Sequence, residues 1–219
     1  MRYRIRVKRI NQIFRRGSDY DARLARVAVL FEDLRLERLA TAADSIESLD
    51  RSGVELRRFY FIRRSIGTLK EFAEALRLLN QSADFGPIRA SFGDDAAAKW
   101  AKSIRFFERR EPYLAKIRND FGGHFGEEPA RFVIEHLHDG PVDFEYESNQ
   151  AAGTGTARLK FASEIVAISM GRHQLASEPD DHFRMLFRLV LAGYGHAHRC
   201  ADMLTAFDLW PRFNGVLPA

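Results

Sequence analysis

Apolar side chains return every three to four positions along most of this chain, the spacing that places them on one face of an α-helix. Between residues 18 and 50 that face is held by Leu24, Val27, Phe31, Leu34, Ile46 and Leu49, with Ser18 or Asp19 available as N-cap. The triplet Arg51-Ser52-Gly53 predicts a stop. Leu56, Phe59, Ile62, Ile66, Leu69, Phe72, Leu76 and Leu79 then carry a second long helix from Val54 to about Gln81. The stretch 82–95, SADFGPIRASFGDD, has Gly, Pro and Asp where a loop wants them. A third helix opens near Asp94-Asp95, because acids suit the positive end of the helix dipole. Its face, Trp100, Ile104, Phe107, Leu114, Ile117 and Phe121, stays in register across Pro112, which predicts a kink or two coaxial segments. Gly122-Gly123 predicts its end, and a short helix follows with Pro129 in the first turn, running toward Asp139-Gly140-Pro141.

The period then changes to two. VDFEYES (142–148) and TARLKFA (156–162) alternate across NQAAGTG, the pattern of a β-hairpin inserted at about 142–162. SEIVAISMGRH (163–173) returns to helix, and the last long helix, from Ser177 to Trp210, is apolar over more of its circumference than the others. Such breadth predicts burial between neighbours or a dimer face. The expected fold is therefore mostly all-α: an up-and-down bundle of four to five long helices, one domain over 18–219, with a basic arm at 1–17 and the small hairpin as an insertion.

Composition changes this picture little; the distribution of charge changes it more. The chain has 219 residues, 46% hydrophobic and 29% charged, enough for one substantial core. Residues 1–16 hold seven basic side chains, Arg2, Arg4, Arg6, Lys8, Arg9, Arg15 and Arg16, and no acid, so the other 27 basic residues face all 30 acidic ones. The basicity is a local arm. It can hold RNA or another polyanion through phosphate contacts. It can equally be a charged edge strand, since Tyr3, Ile5 and Val7 alternate with the cations. No apolar run approaches the roughly 20 residues of a membrane span, and the N-terminus lacks a secretory signal's apolar core. Cys200, the single cysteine, suits a reducing cytoplasm.

Among candidates for chemistry, the seven histidines do not pair at ligand spacing. His136/His138 and His196/His198 are two apart and diverge by about 200° on a helix. Glu178 and His182 are four apart but have no second pair, so neither a metal nor another cofactor is expected. Cys200 reads as a small buried hydrophobe. GTGTA (153–157) lacks the lysine and following helix of a phosphate loop.

KIRNDFGGHFGEE (116–128) is different. Arg118 is permanently cationic and able to grip two phosphate oxygens; His124 titrates near neutrality and can move a proton. Together they form a minimal metal-independent set for cleaving RNA through its own 2′-OH. Glycines between them would let the backbone leave the helix and return the imidazole to the guanidinium. The plainer alternative is a dipole-favoured cation in a last helical turn, followed by a loop histidine.

Arg118-Asn119…His124 is similar to the R-x(4–6)-H motif of HEPN domains, in which a polar residue, often Asn, follows the Arg, and the motif lies late in a long helix of an all-helical protein. The resemblance rests on about ten residues and implies catalytic roles for Arg118 and His124, with Asn119 orienting them or contacting phosphate. It also implies a homodimer with one composite site, and an endoribonuclease of the toxin or phage-defence kind, with an antitoxin or other regulatory protein as possible partner. The alternatives it leaves open are a non-catalytic RNA- or nucleotide-binding module and a dimeric interaction protein. The hairpin and the basic arm lie outside the minimal family pattern.

Overall fold

The turn that launches the first helix shows how this chain makes its elements. Gly17 adopts φ 74°, a left-handed conformation that a side chain would strain. Ser18 then accepts the Asp21 N–H on its hydroxyl at 3.2 Å, which identifies it as the N-cap. The computed structural model describes residues 10–42, 51–122, 127–136, 144–149, 154–159, 168–169 and 179–213.

Four long helices dominate these residues: α1 (Asp19–Ala42), α2 (Arg51–Asn80), α4 (Asp94–Ile117) and α6 (Pro179–Leu204). Shorter ones are α3 (Phe85–Ala90), α5 (Glu127–Glu135) and α7 (Trp210–Phe213). The all-helical class expected from the apolar period is thus observed in its coarse form. Two six-residue strands, β1 (Phe144–Asn149) and β2 (Thr154–Leu159), pair antiparallel in the register Phe144↔Leu159 to Asn149↔Thr154. Thr154 and Gly155 of the GTGTA stretch therefore sit in a strand. No described helix is long and apolar enough to cross a membrane.

Three boundaries depart from the periodicity. Arg51-Ser52-Gly53 begins α2 rather than interrupting it; a single Gly near a helix end costs about 1 kcal/mol, which 30 residues of packed helix absorb. The expected loop at 82–95 contains α3, whose Phe85 and Ile88 are buried. Gly122 does not cap α4. The chain passes from Ile117 directly into a π-helical turn over Arg118–Gly122, and α4 itself runs through Pro112. Ile46, Leu49, most of 163–173 and Gly123 lie outside the described residues.

The chain divides into two compact units, and the division falls inside each long helix. Unit one comprises residues 1–34, 68–112 and 192–219. Its core is Tyr20, Leu24, Val27 and Leu34 of α1, Leu69, Phe72, Leu76 and Leu79 of α2, Trp100 and Phe107 of α4, and Ala197, Cys200 and Leu204 of α6. Burying each large side chain contributes about 1.5–3 kcal/mol. Phe85, Phe92, Trp100 and Phe207 form a ring cluster with centroids 4.9–6.1 Å apart. The Trp100 Nε1–H donates to Asn80 Oδ1 at 2.9 Å, so the buried indole keeps its hydrogen bond. Unit two comprises residues 35–67 and 113–191, with Ile62, Ile66, Leu114, Ile117, Val133 and Leu186 buried.

Candidate functional site

Arg118 and Asn119 are both solvent-exposed on the π-helical turn that extends α4, with Asp120 half-buried beside them. A π turn bonds i to i+5 and is a rare, locally widened piece of helix that recurs at functional sites. This turn contacts α5, the short helix of the same unit. His124 lies outside the described residues, so the structure assigns no distance between its ring and Arg118. Of the basic arm, Arg2, Arg4, Arg6, Lys8 and Arg9 likewise lie outside them. Arg15 and Arg16 are exposed. Arg15 nevertheless has structural work: its backbone N–H and its Nε both donate to Asp21 Oδ2, the latter at 3.2 Å, closing the turn before α1.

Two clusters in unit one escape a reading by motif. The first is a buried ionic network. Arg212 donates from Nε to Asp208 Oδ1 at 2.6 Å, and from Nη1 to Asp21 Oδ1 at 2.8 Å and the Ile13 carbonyl at 2.9 Å. The Tyr20 hydroxyl donates to the other oxygen of Asp208. Asp21, Asp208, Tyr20 and Arg212 are all buried. Burial, and then the Asp208 carboxylate, push the Tyr20 hydroxyl well above the ordinary phenol range. Each charge has an opposite partner, as buried charges require. The network joins residues 191 apart in sequence, which no local pattern announces.

The second is a basic concavity of about 250 Å³, lined by Lys102, Arg105, Phe106, Arg109 and Arg110 of α4 and by His196 of α6. The four cations recur at helical spacing, so α4 presents them along one face. All four are exposed, and among the described residues none makes an ion pair. Glu108 and Glu111 line a different hollow, with Arg77 and Asn80, so acid and base occupy separate faces of the helix. The His196 ring stacks on Phe106, centroids 4.2 Å apart at 17°. Its Nδ1 accepts from Arg199 at 3.2 Å and lies 3.0 Å from the Ser103 hydroxyl. With Nδ1 accepting, the neutral ring carries its proton on Nε2. Burial lowers the imidazole below its ordinary value, and the nearby Arg199 and Lys102 charges lower it further.

Cys200, one turn beyond His196, is fully buried, and burial pushes its thiol up to about 12. It is a packed small side chain and not a nucleophile. Among the described residues, no three metal-ligating side chains come together.

Comparison of the chain with protein-family models, curated proteins and solved structures finds no match.

Proposed function

We propose that this protein is a metal-independent endoribonuclease of HEPN-like type, cutting single-stranded RNA with Arg118, Asn119 and His124 on an up-and-down helical bundle. The observation that carries the reading is the Arg118-Asn119 pair, exposed on a π-helical extension of a long helix, five residues before a histidine. In the reaction the 2′-oxygen forms a bond to phosphorus, the bond from phosphorus to the 5′-oxygen breaks, and a 2′,3′-cyclic phosphate remains. His124 handles the proton leaving the 2′-OH or the one the 5′-oxygen gains. Arg118 offsets the charge that builds on the phosphoryl oxygens, and Asn119 orients the phosphate. The protein acts as a homodimer, and a regulatory partner of antitoxin type restrains it.

The test is cleavage of single-stranded RNA in EDTA with identification of the product ends. Cyclic phosphate ends are expected. His124→Ala is expected to slow cleavage by about 10²–10⁴-fold, and Arg118→Ala by about 10²–10³-fold. Undiminished cleavage by His124→Ala overturns the mechanism. The second reading, RNA or nucleotide binding without turnover, is favoured by the unpaired basic face of α4. Its outcome is salt-dependent binding with no cleavage in any condition.

A further inference from the structure

The sequence offers the N-terminal arm for RNA contacts; α4 displays a second basic surface. Lys102, Arg105, Arg109 and Arg110 crowd like charges onto one face of α4, and among the described residues no carboxylate pairs with them. Like charges three and four positions apart repel and destabilise an isolated helix. A fold that needed only a solvated surface would gain from interleaved acids, as α2 does with Lys70 and Glu74, 2.9 Å apart. The repulsion is relieved when an anion lies across the face.

We infer that this face binds the sugar–phosphate backbone of a single-stranded nucleic acid. Three arguments select that occupant. From Lys102 to Arg110 the helix rises about 12 Å, a longer row of cations than one free phosphate can span and one suited to successive phosphates of a strand. Three of the four cations are Arg, whose planar fork holds two phosphate oxygens at once. The Phe106–His196 stack stands among the cations, and aromatic platforms beside a basic groove are how single strands are held without base-specific contacts. Neutral His196 contributes an Nε2–H donor at no electrostatic cost to the crowded face. The inference concerns this face alone and does not rest on cleavage at Arg118 and His124.

The experiment measures binding of the full-length chain to a fluorescent single-stranded oligonucleotide with 2′-O-methyl sugars, which 2′-OH attack cannot cut, in EDTA over a salt series. Arg105→Glu/Arg109→Glu, both at exposed positions, is expected to weaken binding at least tenfold. Losing two phosphate contacts should also flatten the log–log salt slope by about 1.4. Phe106→Leu is expected to weaken binding to the full oligonucleotide several-fold and to leave binding to an abasic backbone unchanged. Arg89→Glu/Arg131→Glu, both at exposed positions outside the basic face of α4, makes the same change of net charge and serves as its control, with circular dichroism as the control for folding. The inference is overturned if the α4 double variant binds like the wild type, or if Arg89→Glu/Arg131→Glu costs as much. It is also overturned if poly-glutamate binds the same face as tightly as the oligonucleotide, which would make the partner an acidic protein.

Discussion

Arg212 carries a charge that folding encloses between two carboxylates, a tyrosine ring and a carbonyl. Its guanidinium lies 5.6 Å from the centre of the Tyr20 ring, which adds a cation–π contact to the hydrogen bonds. Burial alone would lower the guanidinium's affinity for its proton; Asp21 and Asp208 more than reverse that. Removing Arg212 leaves two buried carboxylates, Asp21 with only Arg15 and Asp208 with only the Tyr20 hydroxyl as partners among the described residues. Arg212→Met is therefore expected to lose about 3–5 kcal/mol of unfolding free energy in a urea titration. The same group sets an acid limit. Burial opposes ionisation of Asp21, but the Arg15 backbone N–H, then the Arg212 and Arg15 guanidiniums, hold its carboxyl below the ordinary range. A carboxyl whose folded value lies below its unfolded one stabilises the fold above the unfolded value, about 4. That contribution is lost as pH falls through the folded value. The urea midpoint should drop below about pH 4, and Asp21→Asn should start lower at neutral pH and lose this component of the acid slope. An unchanged slope in Asp21→Asn would place the acid sensitivity elsewhere.

At the scale of elements, α2 and α6 meet within unit one where Gly193 faces Leu69. A methyl group on Gly193 would stand 2.8 Å from Leu69 Cδ1 and 2.9 Å from Cδ2, and Leu69 is itself buried. Contact this close requires the leucine to move inside a packed core. Gly193→Ala is expected to cost about 1–3 kcal/mol in thermal or urea unfolding. Gly195 has open space at the same position, so Gly195→Ala should be neutral or slightly stabilising through helix propensity. Equal effects at the two sites would contradict the packing. In AGYGHAH the two glycines are two apart and so point about 200° apart on the helix: Gly193 shares the phase of buried Leu186 and Ala197 and meets the neighbouring helix, whereas Gly195 does not.

At the scale of the molecule, the proposed homodimer needs a surface. Met185 and Leu191 of α6 are exposed apolar side chains on the helix whose breadth first suggested such a face. Light scattering is expected to report twice the 25.1 kDa chain mass, and Met185→Glu/Leu191→Glu to return it to that of one chain. A wild-type mass of one chain would remove the composite site from the nuclease proposal. Much of the architecture at this scale was legible in advance, because an amphipathic helix advertises itself wherever it occurs. The starts of α1 and α4 and the first turn of α5 follow from Ser18, Asp94-Asp95 and Pro129. The basic face of α4 was legible in principle from Lys102, Arg105, Arg109 and Arg110, yet a scan for whole-segment charge passes over it because Glu108 and Glu111 intervene.

By itself, then, the order of residues determined the helical class, the apolar faces and the Arg118-Asn119…His124 spacing, since each depends on neighbours within a few positions. The burial of Cys200 agrees with its apolar helical setting in the sequence. The tertiary structure alone decided that Arg212 answers to Asp21 and that His196 stacks on Phe106 beside four cations. Those contacts arise between residues about 90 to 190 apart, and no contact at that separation is written in local sequence.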